Sequence, residues 1–131
     1  MGTIPILSDE EAGAEALAVF DDIRAKRQTD YVNNFWRALA TDPAQLRSTW
    51  ERAQEVMRPG SLDPLVKELI YIAVSVANGC TYCVHSHTAA ARAKGMTPAQ
   101  HGELLAVIAM AAQTNALATA MQVEPDARFL A

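Results

Sequence analysis

Apolar residues recur along most of the chain at three- and four-residue intervals, the spacing of an amphipathic helix rather than the alternation of a strand. Leu17, Phe20 and Ile23, with Ala16, form a narrow stripe within an Ala- and acid-rich run from Asp9 to about Lys26, broken only by Gly13. Ser8 and Glu11 have the form of a capping box, so a first helix is predicted over that run, packed as a lid on the core, after an arm that carries Pro5. Asp30 is placed to cap a second helix bearing Val32, Phe35, Trp36 and Leu39. Asp42-Pro43 and Asp63-Pro64 are start signals, Asp at the N-cap and Pro at the first helical position. They open a third helix from Pro43 to about Met57 and a fourth from Pro64. In the third, Leu46, Trp50, Ala53 and Met57 share one face, and Trp36 and Trp50 are expected as core anchors without chemistry.

The fourth helix is apolar from Leu69 to Ala77 except at Tyr71 and Ser75, which predicts a central, buried helix; the run is too short to span a membrane. Asn78-Gly79 breaks it. A fifth helix begins at the cysteines and runs to Lys94, with Gly95 as its terminal glycine. Thr97-Pro98-Ala99-Gln100 is a capping box that opens a sixth helix, from Pro98 to about Ala120. Its later part, LLAVIAMAAQTNALATAM, has little polar surface. A chain of 131 residues would struggle to bury both this helix and the fourth, which points to a homo-oligomer with apolar interfaces. With no strand signal and no repeat, the expected fold class is all-α, about six helices in a single domain over residues 1–131.

Half of the residues are hydrophobic and a fifth charged, an ordinary globular composition rather than a disordered one. Net charge is −4 and the basic residues are scattered, which argues against nucleic acid as a partner. The opening MGTIPILSDEE has neither a basic leader nor a long apolar run, so the expectation is a cytoplasmic protein with no membrane anchor. In a reducing compartment, two cysteines only three residues apart fit catalysis or metal binding better than a structural staple, because so short a loop restrains the unfolded chain little.

Cys80, Cys83 and His87 stand at i, i+3 and i+7 and share one helical face. Glu68, Tyr71 and Ser75 repeat that spacing on the preceding helix. If the two-residue break folds the helices into an antiparallel hairpin, His87 comes level with Tyr71 and Glu68, and Cys83 with Ser75. The two polar stripes are then expected to face each other inside an apolar core. Thiolate is the reactive form of cysteine, favoured near a helix N-terminus or a protonated His. Cys83, four residues from His87, is therefore read as the peroxide-attacking thiol with His87 as its proton-transfer partner. Cys80 would resolve the resulting sulfenic acid into a disulfide. Glu68, enclosed by Leu69 and Ile72, is expected to have a raised pKa and to exchange protons with His87.

Blander readings stand beside these. Glu68 can be a first-turn carboxylate at the helix dipole, Tyr71 and Ser75 core residues with satisfied hydroxyls, and His85 and His101 surface residues. Cys80, Cys83, His85 and His87 also offer four zinc ligands, but a continuous helix turns His85 away from the rest, and structural zinc sites draw on two separated segments.

Glu68, the Cys80-Thr81-Tyr82-Cys83 motif and His87, preceded by Asn78 and followed by an Ala-rich helix, resemble the alkylhydroperoxidase AhpD-like group of the carboxymuconolactone decarboxylase superfamily. The motif resemblance covers about Asp63 to Gly95. It implies a thiol-dependent hydroperoxide reductase in an all-α fold that assembles as dimers, trimers or hexamers, with a small hydroperoxide as substrate, a dithiol or protein thiol as reductant and no cofactor. By the family pattern the second cysteine attacks, the first resolves, and Glu and His relay protons, which falls here on Cys83, Cys80, Glu68 and His87. Peroxidase members can carry a His just before the second cysteine, where this chain has Tyr82. The decarboxylase branch lacks the cysteine pair, so lactone decarboxylation is disfavoured. The remaining function class is a non-enzymatic, oligomeric binding module of the same fold.

Overall fold

The structure, a computed structural model, describes residues 2–130, which form six α-helices and one short 3₁₀ turn, with no strand among them. The expected all-α class is what is found. The chain divides into two compact units, one ending at Arg58 and the other beginning at Pro59.

The first unit contains α1 (Ala14–Arg27), α2 (Asn34–Leu39) and α3 (Pro43–Met57). Its core is the α1 stripe, Ala16, Val19, Phe20 and Ile23, closed by Val32, Trp36, Ala40, Leu46 and Trp50. The two tryptophans are anchors as predicted, meeting edge to face with ring centroids 5.3 Å apart. The indole N–H of Trp50 is satisfied by Asp22 at 2.7 Å, a bond that holds the Asp22 carboxyl below its ordinary pKa. The N-terminal arm is tied down by Asp9, which accepts from Arg24 at 2.7 Å and Arg37 at 3.0 Å.

Two helix starts differ from expectation. The Ser8–Glu11 box does form, with reciprocal bonds of 2.8 and 3.3 Å, but it closes only a turn. Gly13 follows in an extended conformation, and α1 begins after it. The second helix has Asn33 rather than Asp30 at its N-cap position, without a side-chain cap bond, because Val32 reaches the core from the non-helical segment before it.

The second unit contains α4 (Pro64–Ala77), α5 (Thr81–Ala93) and α6 (Pro98–Met121). All three starts fall at the predicted prolines or cysteines. Asp63 caps α4 by accepting from Leu65 N–H, and Thr97 with Gln100 completes both bonds of the capping box on α6.

Glycines end α4 and α5 in the same way. Gly79 (φ 69°) and Gly95 (φ 95°) take the left-handed conformation that favours glycine. After α4, Gly79 N–H bonds Val76 O and Cys80 N–H bonds Ser75 O; after α5, Gly95 N–H bonds Arg92 O and Met96 N–H bonds Ala91 O. Each pair is a Schellman motif, with the apolar contact of Met96 on Ala91 sealing the second. The first motif returns the chain at once, so α5 packs back along α4 as a hairpin.

Ile72, Ala91 and Met96 form the core of this unit, with Leu65, Leu69, Leu104 and Ile108 against them. The fourth helix is not buried all round as expected. Val66, Ile70 and Val74 stay exposed on one face, because α5 and α6 cover the other. Nor is any residue of α6 buried, although it is long and apolar enough to cross a membrane by length and composition.

The two kinds of glycine separate in a stability measurement. Gly95→Ala should destabilise by about 1–2 kcal/mol, the penalty of a left-handed conformation with a Cβ. Gly102→Ala, helical and with open space around the new methyl, should stabilise by about 0.5–1 kcal/mol. Urea unfolding midpoints of the two variants should move in opposite directions.

Candidate active site

Cys80 occupies two structural positions at once. Its backbone N–H completes the Schellman bond that ends α4, and the residue is the N-cap of α5, its Sγ accepting from Cys83 N–H at 3.2 Å. Cys83 sits inside the first turn. Both are half-buried and joined as a disulfide, with Cα atoms 5.3 Å apart, inside the range a disulfide spans. The sulfurs are therefore inequivalent: a thiolate at Cys80 would receive a backbone N–H and the positive end of the helix dipole.

One turn after Cys83, His87 turns towards α4. Its Nδ1 is 2.7 Å from Oε2 of Glu68, and its ring stacks on Tyr71 with centroids 3.6 Å apart. The predicted levels of His87, Glu68 and Tyr71 are thus found together. Ser75 is buried, but its hydroxyl donates to the Tyr71 carbonyl at 2.7 Å, the locally satisfied core role. His85 is exposed, Tyr82 is exposed, and His101 lies on α6. Among the described residues no group of three or more His, Cys, Asp or Glu could hold a metal ion.

Lys94 was not expected at the site. Its Nζ is 2.9 Å from Oε1, the second oxygen of Glu68. The signal was present in the sequence, since Lys94 follows His87 by seven residues and extends the Cys80, Cys83, His87 stripe by two turns.

The charge state of Glu68 corrects the sequence reading. Burial does act to raise its pKa, but the hydrogen bonds and charges of His87 and Lys94 outweigh this and hold the carboxyl below its ordinary value. At neutral pH Glu68 is then a carboxylate, able only to accept. Nδ1 of His87 is therefore the donor in that bond.

The α4–α5 hairpin thus carries a CxxC disulfide and, further along α5, a partly buried His87 held on the buried Glu68. The carboxymuconolactone decarboxylase family model matches residues 43–123, and the chain belongs to that family. Within it the chain is AhpD-like. It superposes on the crystal structure of the alkylhydroperoxidase AhpD core from Rhodospirillum rubrum ATCC 11170 with a TM-score of 0.97 at 62% identity, covering 100% of this chain and 98% of that one. It is 34% identical to the alkyl hydroperoxide reductase AhpD of Solibacter usitatus (strain Ellin6076) over 70% of this chain and 50% of that protein. The AhpD of Maricaulis maris (strain MCS10) is 35% identical over 65% of this chain and 44% of its own. The chain thus spans about half the length of the curated relatives it matches.

The lowered pKa of Glu68 has a consequence for stability. A carboxyl depressed in the folded state stabilises the fold above its unfolded pKa, near 4.5, and that contribution is lost as pH falls through the lower folded value. In urea titrations at a series of pH values, the parent should lose stability on acidification below about pH 4.5, and Glu68→Gln should lack that component. Parallel pH slopes for the two proteins would contradict the assignment.

Proposed function

We propose that the chain is a thiol-dependent peroxidase that reduces alkyl or hydrogen peroxide through the Cys80–Cys83 dithiol. The observation that carries this reading is the CxxC disulfide beside a histidine whose Nδ1 is held on a buried carboxylate. The AhpD names of the relatives support it.

The cycle balances as follows. In the reduced chain, Nε2 of His87 takes the Cys83 thiol proton. The thiolate attacks the terminal peroxide oxygen, the O–O bond breaks, and Cys83 becomes a sulfenic acid while the leaving alkoxide takes a proton from His87. Cys80 then attacks the Cys83 sulfur and water leaves. Two thiols and ROOH give one disulfide, ROH and water. An external dithiol or protein thiol supplies the two electrons that reopen the disulfide, in a reducing compartment such as the cytoplasm. The stronger stabilisation of a Cys80 thiolate makes it the better leaving group in that step, so the reductant attacks Cys83. Glu68 fixes the histidine tautomer and stabilises the imidazolium formed between the two proton transfers.

The exposed apolar faces of α4 and α6 support assembly of the chain with copies of itself. Val66, Ile70 and Val74 on one helix and Leu105, Val107, Met110 and Leu117 on the other are large apolar side chains left exposed. Sedimentation should find a dimer, trimer or hexamer; a monomer that partitions onto lipid vesicles would overturn this part of the reading.

For the chemistry, peroxide added to the reduced chain should remove two thiols per chain and create one intramolecular disulfide. Cys83→Ser should abolish turnover, whereas Cys80→Ser should accumulate a sulfenic acid on Cys83 that dimedone traps. A Cys83→Ser chain that reduces hydroperoxide as fast as the parent would show that the cysteine roles are assigned wrongly.

A further inference from the structure

We propose that Lys94 is a positioning residue of this site: by taking Oε1 of Glu68 it holds Oε2 on Nδ1 of His87, and so keeps the Nε2 edge of His87 open for the cysteine proton. The proposal rests on the dithiol reading given above.

Three features carry it. First, a carboxylate bonded through one oxygen alone is free to turn about a soft terminal torsion. Lys94 at 2.9 Å and His87 at 2.7 Å occupy one oxygen each, which fixes the plane of the group. Second, the backbone of Lys94 is fixed where its side chain leaves the helix. Lys94 is the C-cap of α5, its N–H bonded to Ala90 and Ala91 carbonyls at 3.1 Å, inside the Schellman motif that Gly95 and Met96 complete. A cation there also suits the negative end of the helix. Third, the Glu68 side chain is 5% exposed, whereas that of Lys94 is 40% exposed. A buried carboxylate needs a compensating charge, and Lys94 supplies it while its other face stays hydrated.

With Lys94 present, Glu68 and Lys94 neutralise each other, and His87 can rest uncharged. Without it, the carboxylate charge would be met by a proton held on the Glu68–His87 pair, in the place where the cycle needs a vacancy. The groups in contact with the pair are Tyr71 from α4, stacked on His87, and Lys94 from α5, bonded to Glu68; the apolar Leu104 and Ile108 of α6 pack against the neighbouring core.

The test compares Lys94→Gln, Lys94→Arg, Glu68→Gln and the Glu68→Gln/Lys94→Gln double variant. Two readouts are taken: the pH dependence of peroxide turnover, and the titration of the Glu68 carboxyl followed by carbon-13 NMR in the oxidised chain. In Lys94→Gln the acid limb of the activity profile and the Glu68 titration should both move to higher pH by about one unit, the effect of losing an opposite charge in direct contact. Lys94→Arg should restore both curves. In the Glu68→Gln background, removing Lys94 should change nothing further. An active parent whose Lys94→Gln variant keeps both curves, or loses rate equally at every pH, would overturn the proposal and leave the peroxidase reading intact. A parent inert to peroxide, with the Glu68 titration still shifted by Lys94→Gln, would overturn the peroxidase reading and leave the hold of Lys94 on Glu68 standing.

Discussion

A single carboxylate buried between two helices organises this site. Glu68 reaches across from α4 to both His87 and Lys94 of α5, and its partners stand two turns apart on the same face. An ionised carboxylate so deeply enclosed would be strongly destabilising alone. Its presence therefore requires that α5 pack against α4 in one register, with His87 and Lys94 on the seam. The same bonds that satisfy the charge orient the imidazole that the proposed chemistry needs, so packing and function depend on one interaction.

Placing the cysteines depends on the turn rather than on the seam. Gly79 lets α4 end and α5 begin with no intervening loop, and Cys80 belongs to both ends. Its backbone is committed to α4 and its sulfur to the Cys83 N–H of α5. That is why two cysteines three residues apart are physically unlike: one lies at the helix boundary with a donor aimed at its sulfur, the other on the helix one turn from the histidine. The proposed division of labour between attack and resolution draws on this asymmetry.

Much of this was legible in the sequence, and the failures have physical causes. Helix starts marked by Asp-Pro or by Thr97-Pro98 fell where predicted, because a fixed proline φ and a capping side chain are local properties. The starts of α1 and α2 differ from expectation for two reasons: Gly13, a local breaker, stops the turn closed by a valid capping box, and Val32 is drawn into the core, a nonlocal demand. The facing of Glu68 and His87 was readable from matched spacing about the Asn78-Gly79 break. The charge state of Glu68 was not, since burial alone argued for a raised pKa and the decisive cation, Lys94, lay beyond the stripe that had been read. Burial of α4 was overestimated for a different reason. A helix apolar on all faces needs more neighbours than one chain provides, and Val66, Ile70 and Val74 remain uncovered within it.

The account stands on the claim that Glu68 is a carboxylate which fixes the tautomer of His87. Nitrogen-15 NMR of the His87 ring in the reduced chain at neutral pH tests this directly. The prediction is a protonated Nδ1 and an unprotonated Nε2 in the neutral imidazole. A neutral ring with the hydrogen on Nε2 would place the proton on Glu68 instead and contradict the account.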